Sequence, residues 1–184
     1  MIQHEGDPSR CAVLLPGVRY FSQAPLIWFS REAAQARGWS AVEVDERAPG
    51  DQEPFEWMRG QALRALDATD AELTVVVGKS LGSAAAPLVS ERGLPAVWLT
   101  PLLTRPDVTE ALAAAPAPAL AIGSPADPSW GQGELPENPA LEVLELPGLD
   151  HSLQLSGDPI ASLDVLRTVT ERVGAFFARV SGTP

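Results

Sequence analysis

The chain has 184 residues and a net charge of −11, from 13 Lys and Arg against 24 Asp and Glu, and 45% of its residues are hydrophobic. That length suits one domain, 1–184, with a core large enough to stand without disulfides. The acidity argues against nucleic acid and anionic membranes as partners, and no apolar run approaches the about 18 residues of a bilayer span.

Residues 1–9 are polar and read as a flexible N-terminal tail, with His4 solvated in it. Met1 to Asp7 has no basic segment leading into an apolar one, so it does not read as a signal peptide. With a single cysteine, Cys11, a cytoplasmic location is expected. Cys11 opens the apolar run Cys11-Ala12-Val13-Leu14-Leu15, stopped by Pro16-Gly17, which predicts a buried strand and a loop. The thiol reads as a small buried hydrophobe.

Residues 24–37 predict a helix ended by Gly38, and Trp39 to Val44 a strand. Pro54 to Leu66 predicts a helix with proline in its first turn, where the missing N–H costs little. Leu73 to Val77 is a central strand. It runs into Gly78-Lys79-Ser80-Leu81-Gly82, followed by the small residues Ser83, Ala84, Ala85 and Ala86. A serine between two glycines, at a strand-to-helix junction, is the pattern of a nucleophile elbow: the sharp turn lifts the hydroxyl clear of the sheet. Gly78-Lys79-Ser80 also ends like a phosphate-binding loop. That loop needs glycine at position 73, where Leu73 stands, and a flexible segment in place of Thr74-Val75-Val76-Val77, which favours a strand. Nucleotide binding is therefore excluded here.

Ser80 to Glu91 predicts the elbow helix, interrupted near Pro87. Ala96 to Leu99 predicts a strand, Val108 to Ala115 a short helix, Ala119 to Ile122 a strand and Leu141 to Leu146 the last strand. Ile160 to Val180 predicts a long helix with Asp158 as N-cap and Pro159 after it. Its Ile160, Leu163, Leu166, Val169, Val173, Phe176 and Val180 form one apolar face that should pack on the sheet. Strands and helices in alternation, with continuous apolar strands, predict an α/β fold: a mostly parallel sheet of about six strands covered on both faces.

A serine hydroxyl is a weak nucleophile until a base takes its proton. His151 follows the last strand and so shares the carboxyl edge of the sheet with Ser80, where functional loops gather. It is the candidate base. An acid is needed to hold its tautomer. Asp127, in Ala126-Asp127-Pro128-Ser129-Trp130, follows strand 119–122 at the same edge and is favoured over Asp107 and over Asp150, whose side chain should point away from the adjacent imidazole.

The order Ser80, Asp127, His151 is that of the α/β-hydrolases. From Cys11 to its end the chain resembles a small, capless bacterial α/β-hydrolase of the serine hydrolase superfamily, with Gly-Lys-Ser-Leu-Gly, Ala-Asp-Pro-Ser-Trp and Asp-His-Ser-Leu at the three places. The resemblance implies a three-layer fold that lacks the first hairpin and has no cap domain between Leu99 and Val108. By position, the backbone N–H of Leu81 is one oxyanion-hole donor. The resemblance places the other in Pro16-Gly17-Val18, at the Val18 N–H with Arg19 as the alternative. Arg19, Tyr20, Phe21 and Trp130 would ring the mouth, with Tyr20 and Trp130 either shaping the substrate pocket or covering core edges.

The expected activity is hydrolysis of an ester or thioester through an acyl-enzyme, with a small-molecule acyl substrate, no cofactor and no metal, in a monomer or homodimer. An acyltransferase or cyclase would use the same residues. A non-catalytic interaction protein on this fold would have no need of three polar residues converging on one edge.

Overall fold

Proline and glycine punctuate the chain, and between them short β-branched runs become strands and alanine- and leucine-rich runs become helices. The computed structural model describes residues 1–45, 53–131 and 137–182. The elements are β1 (Ile2–His4), β2 (Asp7–Leu15), α1 (Pro25–Gln35), β3 (Trp39–Glu43), α2 (Pro54–Asp67), β4 (Leu73–Lys79), α3 (Ala86–Glu91), β5 (Ala96–Leu99), α4 (Pro106–Ala114), β6 (Ala119–Gly123), β7 (Leu141–Glu145) and α5 (Pro159–Val180). Each of the five helices carries proline in its first turn, where its fixed φ is already helical. No described helix is long and apolar enough to cross a membrane.

The strands form one sheet in the order β1-β3-β2-β4-β5-β6-β7. All pairs are parallel except β1 with β3. In the centre, Leu15 is level with Gly78, and Gly78 with Trp98. The carboxyl ends of β2, β4 and β5 therefore finish together, and the loops that follow them share one edge.

Alternation along β2 sorts the core into two layers. Cys11, Val13 and Leu15 face a cluster with Met58, Ala62, Ala85, Val89, Val108 and Leu112 from α2, α3 and α4 and their approaches. Ala12 and Leu14 face the other cluster, with Leu26, Ile27, Val173, Phe176 and Phe177 from α1 and α5. Helices thus cover both faces of a sheet whose central strands are apolar throughout, giving three layers with no cap domain: β5 reaches α4 through residues 100–105 alone.

Among the described residues the sheet has seven strands, in keeping with the about six expected. Other sequence expectations are corrected. The segment 1–9 is not a flexible tail: Ile2–His4 pairs with Ala41–Glu43, and β2 begins at Asp7. A polar sequence suffices there because an edge strand is held by backbone pairing and has one side open. The one strand here, β1, pairs with β3 and not with β2, so it makes no hairpin with the strand that follows it. His4 is not solvated in a tail: its Nε2 lies 3.3 Å from the buried Glu43 carboxylate, which accepts a hydrogen bond from Arg31 Nη1 at 2.9 Å.

The expected break of the elbow helix around Pro87 falls at Ala85 and Ala86. Residues Ser80–Ala85 form a 3₁₀ segment and Pro87 lies in the first turn of α3. The apolar face of α5 packs only from its middle onward: Val169, Val173 and Phe176 are buried, while Ile160 and Leu163 are 70% and 60% exposed. Leu149 and Leu153, from the loop before the helix, are buried in that cluster instead.

Candidate active site

The strand β4 delivers Ser80 at the sheet edge in the left-handed backbone region, φ 51. That conformation is costly for a residue with a Cβ and persists only where the surroundings impose it. Two glycines make room. A Cβ on Gly82 would lie 2.3 Å from the Leu15 carbonyl oxygen, and one on Gly78 2.6 Å from the Trp98 ring. The turn is pinned further by Ser83, whose Oγ donates to the Ser80 carbonyl at 2.6 Å and accepts from the Leu102 N–H at 3.1 Å.

His151 stands on the loop after β7. Asp150 shapes that loop: its Oδ1 accepts from the N–H groups of Ser152 and Gln154, and Leu153 takes φ 55. The imidazole reaches back across the edge, with Nε2 2.8 Å from Ser80 Oγ and Nδ1 2.6 Å from Asp127 Oδ2. Asp127 is 1% exposed. Its other oxygen, Oδ1, accepts from the Ser129 N–H at 2.9 Å, capping the short 3₁₀ turn Pro128–Trp130. The carboxylate is therefore held at Oδ1 by the backbone, which leaves Oδ2 for the imidazole.

The structure brings the three residues into one hydrogen-bonded line and places the rival acids elsewhere. Asp107 pairs with Arg59 and Arg105, which hold its carboxyl below the usual range against the opposing effect of burial. The Asp150 carboxylate is engaged in its own turn.

The sequence reading missed Ser124. It is fully buried, and its Oγ accepts from Ala126 N–H at 3.2 Å and Leu149 N–H at 3.1 Å. One hydroxyl thus ties the loop bearing Asp127 to the loop bearing His151. Its position, directly after β6 at the shared edge, was the available signal.

The loop after β2 closes over the elbow. A Cβ on Gly17 would come within 3.1 Å of both Ser80 Cβ and Lys79 Cδ, so this backbone lies directly against Ser80. Gly17 and Tyr20 form a tight turn, Tyr20 N–H to Gly17 carbonyl at 3.2 Å, with Arg19 at φ 56. Val18 and Phe21 are exposed, and Leu81 is buried. The Tyr20 hydroxyl accepts from Leu26 N–H at 3.0 Å, at the start of α1. Burial pushes the phenol up to about 12, against the opposing effect of that bond.

Trp130 does not ring the mouth. It is 4% exposed and packs in the core against Gly123, with its indole N–H donating to Glu145 at 2.8 Å. The interior took it because a ring of this size, with one donor satisfied, gains most from full burial. Lys79, by contrast, is a charged residue in the interior: it is 3% exposed, with Nζ 4.6 Å from the centre of the Tyr20 ring. Burial pushes its amine down to about 8, although the Asp127 and Asp150 carboxylates pull it up. No group of three or more His, Cys, Asp or Glu among the described residues is arranged to hold a metal ion.

No protein-family model matches the chain, and no curated protein matches it. Solved structures do. Est1E from Butyrivibrio proteoclasticus, with ferulic acid bound, superposes with a TM-score of 0.74 at 14% identity, over 97% of this chain and 93% of that one. A serine hydrolase without a lid from Xanthomonas campestris gives 0.69 at 14% identity, over 96% and 87%. The esterase domain of a Rhodothermus marinus protein gives 0.64 at 18% identity, over 97% of each. At these identities the likeness concerns architecture: the chain has the α/β-hydrolase fold, in its form without a lid.

Proposed function

We propose that the protein is a serine hydrolase that cleaves an ester or thioester through an acyl-enzyme on Ser80. The observation that carries this reading is the continuous line Ser80 Oγ, His151 imidazole, Asp127 carboxylate, with contacts of 2.8 and 2.6 Å. The esterases among the structures of like fold support it.

Ser80 Oγ attacks the substrate carbonyl carbon while its proton passes to His151 Nε2. Asp127 accepts from Nδ1–H, which holds the tautomer with a free Nε2 lone pair and stabilises the imidazolium that forms. The carbonyl oxygen becomes an oxyanion, for which the backbone N–H groups of Leu81 and Val18 are the assigned donors. Collapse expels the alcohol or thiol, which takes the proton from His151. Water then repeats the sequence on the acyl-enzyme and frees Ser80.

The fold suits the role because the strained turn is rigid. The nucleophile is held in position by Gly78, Gly82 and Ser83 and need not be ordered during reaction, so orientation is established before substrate arrives. Ser80→Ala tests the reading with p-nitrophenyl acetate as substrate: hydrolysis should fall to the background rate, and an unchanged rate would overturn the assignment.

A further inference from the structure

Lys79 is the residue that the hydrolytic scheme leaves unused. An ammonium drawn into the interior carries a large desolvation cost and is ordinarily met by a carboxylate. Among the described residues the Lys79 side chain is in neither an ion pair nor a hydrogen bond. Its close partner is the face of Tyr20, at 4.6 Å, a distance at which a desolvated cation is attracted by the ring quadrupole. The other charged or titratable groups acting on it are Asp127 after β6 and Asp150 after β7.

Tyr20 is itself a fixed point. Its N–H closes the turn on Gly17, and its hydroxyl accepts from the first turn of α1. Between Gly17 and Tyr20 stand Val18, the assigned oxyanion donor, and Arg19 in a left-handed conformation that a non-glycine residue adopts only under constraint. The Lys79 stem passes beneath this turn, at the distance where a Cβ on Gly17 would touch it. One side chain therefore contacts both ends of the turn, and its backbone leads directly into Ser80.

Resting on the serine hydrolase reading, we propose that Lys79 is a positioning residue: its ammonium, seated on the Tyr20 ring, holds the Gly17–Tyr20 turn against the elbow and so sets the Val18 N–H at the oxyanion. It touches neither substrate nor the reacting atoms. The neutral amine lacks the attraction to the ring, so the device works only while Lys79 is charged.

The test is the pH dependence of kcat on p-nitrophenyl acetate for wild type, Lys79→Arg and Lys79→Met, with Ser80→Ala alongside. Wild-type kcat should fall above pH about 8, where the buried amine titrates. Arginine stays charged, so Lys79→Arg should keep its activity where wild type loses it. Lys79→Met should have kcat about tenfold lower at pH 7, with KM changed less than about twofold, because a displaced donor weakens transition-state and not ground-state binding. If Lys79→Met does not fold, the Lys79→Arg profile alone decides. A Lys79→Arg profile with the same alkaline fall as wild type, or no fall in wild type, overturns the role of Lys79. Full activity in Ser80→Ala overturns instead the hydrolase reading on which it rests.

Discussion

His151 Nε2 lies 2.8 Å from Ser80 Oγ, although 71 positions separate the two residues in the chain. The contact exists because β4 and β7 are parallel members of one sheet whose following loops emerge at the same edge. His151 itself is held by a turn that Asp150 stabilises, while the acid that meets its Nδ1 is Asp127. The two neighbouring carboxylates have divided the work of building the loop and orienting the ring.

That division makes Asp127→Asn the informative acid variant. The amide keeps the shape but presents a donor to Nδ1, favouring the wrong tautomer. We expect kcat to fall by about 10³- to 10⁴-fold with little change in stability. Asp107→Asn, which touches Arg59 and Arg105 away from the site, should leave kcat within about threefold. Steady-state kinetics of the two variants, compared at one pH, checks the assignment.

Gly82→Ala should destabilise the protein by about 3 kcal/mol or prevent folding, because the added methyl would meet the Leu15 carbonyl oxygen at 2.3 Å, a backbone atom that cannot step aside. Urea unfolding followed by circular dichroism reads the loss. Gly148→Ala is the useful contrast: nothing lies within 4 Å of the new Cβ, but φ is +78, so only the smaller conformational cost of about 1 kcal/mol applies.

Lys79 predicts a pH dependence of stability with a definite sign. Its amine titrates near 8 when folded, against 10.5 for the ordinary group. Between these values the unfolded chain binds the extra proton, so stability rises with pH. From pH 8 to 10 the gain should be roughly 2 kcal/mol. Above 10 Tyr20 acts in the opposite direction: its phenol, pushed up to about 12 in the fold, ionises first in the unfolded chain. Lys79→Met should abolish the rise and be more stable than wild type at pH 7 by about 1–3 kcal/mol, since it removes a buried charge. Thermal unfolding across pH 7 to 10 measures both effects.

Trp130→Ala should cost about 3–5 kcal/mol of stability, the range for emptying a core site of this size. Where the protein remains folded, KM for small and bulky aryl esters should change in parallel, because the ring lines the core and not the pocket. A selective loss of one substrate would return Trp130 to the site.

Much of the site was legible because its signals are local. Gly78 and Gly82 are there for steric reasons that act within one turn, and strand ends place Asp127 and His151 at one edge without any knowledge of side-chain contacts. The parts that were not legible depend on distant partners. Ile2–His4 has no apolar pattern and becomes a strand only because β3 offers it an open edge. Ser124 is an ordinary loop serine until the loops from β6 and β7 converge on its hydroxyl. The α5 pattern promised burial at Ile160 and Leu163, and Leu149 and Leu153 occupy the core instead. Trp130 reads equally as a pocket ring or a core ring; the open space beside Gly123 decides it.

The account turns on whether Ser80 is an activated nucleophile. The most direct measurement is fluorophosphonate labelling followed by peptide mapping on wild type, Ser80→Ala and His151→Ala. The account predicts one covalent adduct per chain in wild type, on the peptide containing Ser80, with none in Ser80→Ala and labelling slowed at least about 100-fold in His151→Ala. A wild-type protein that stays unlabelled, or one that labels equally fast without His151, would contradict it.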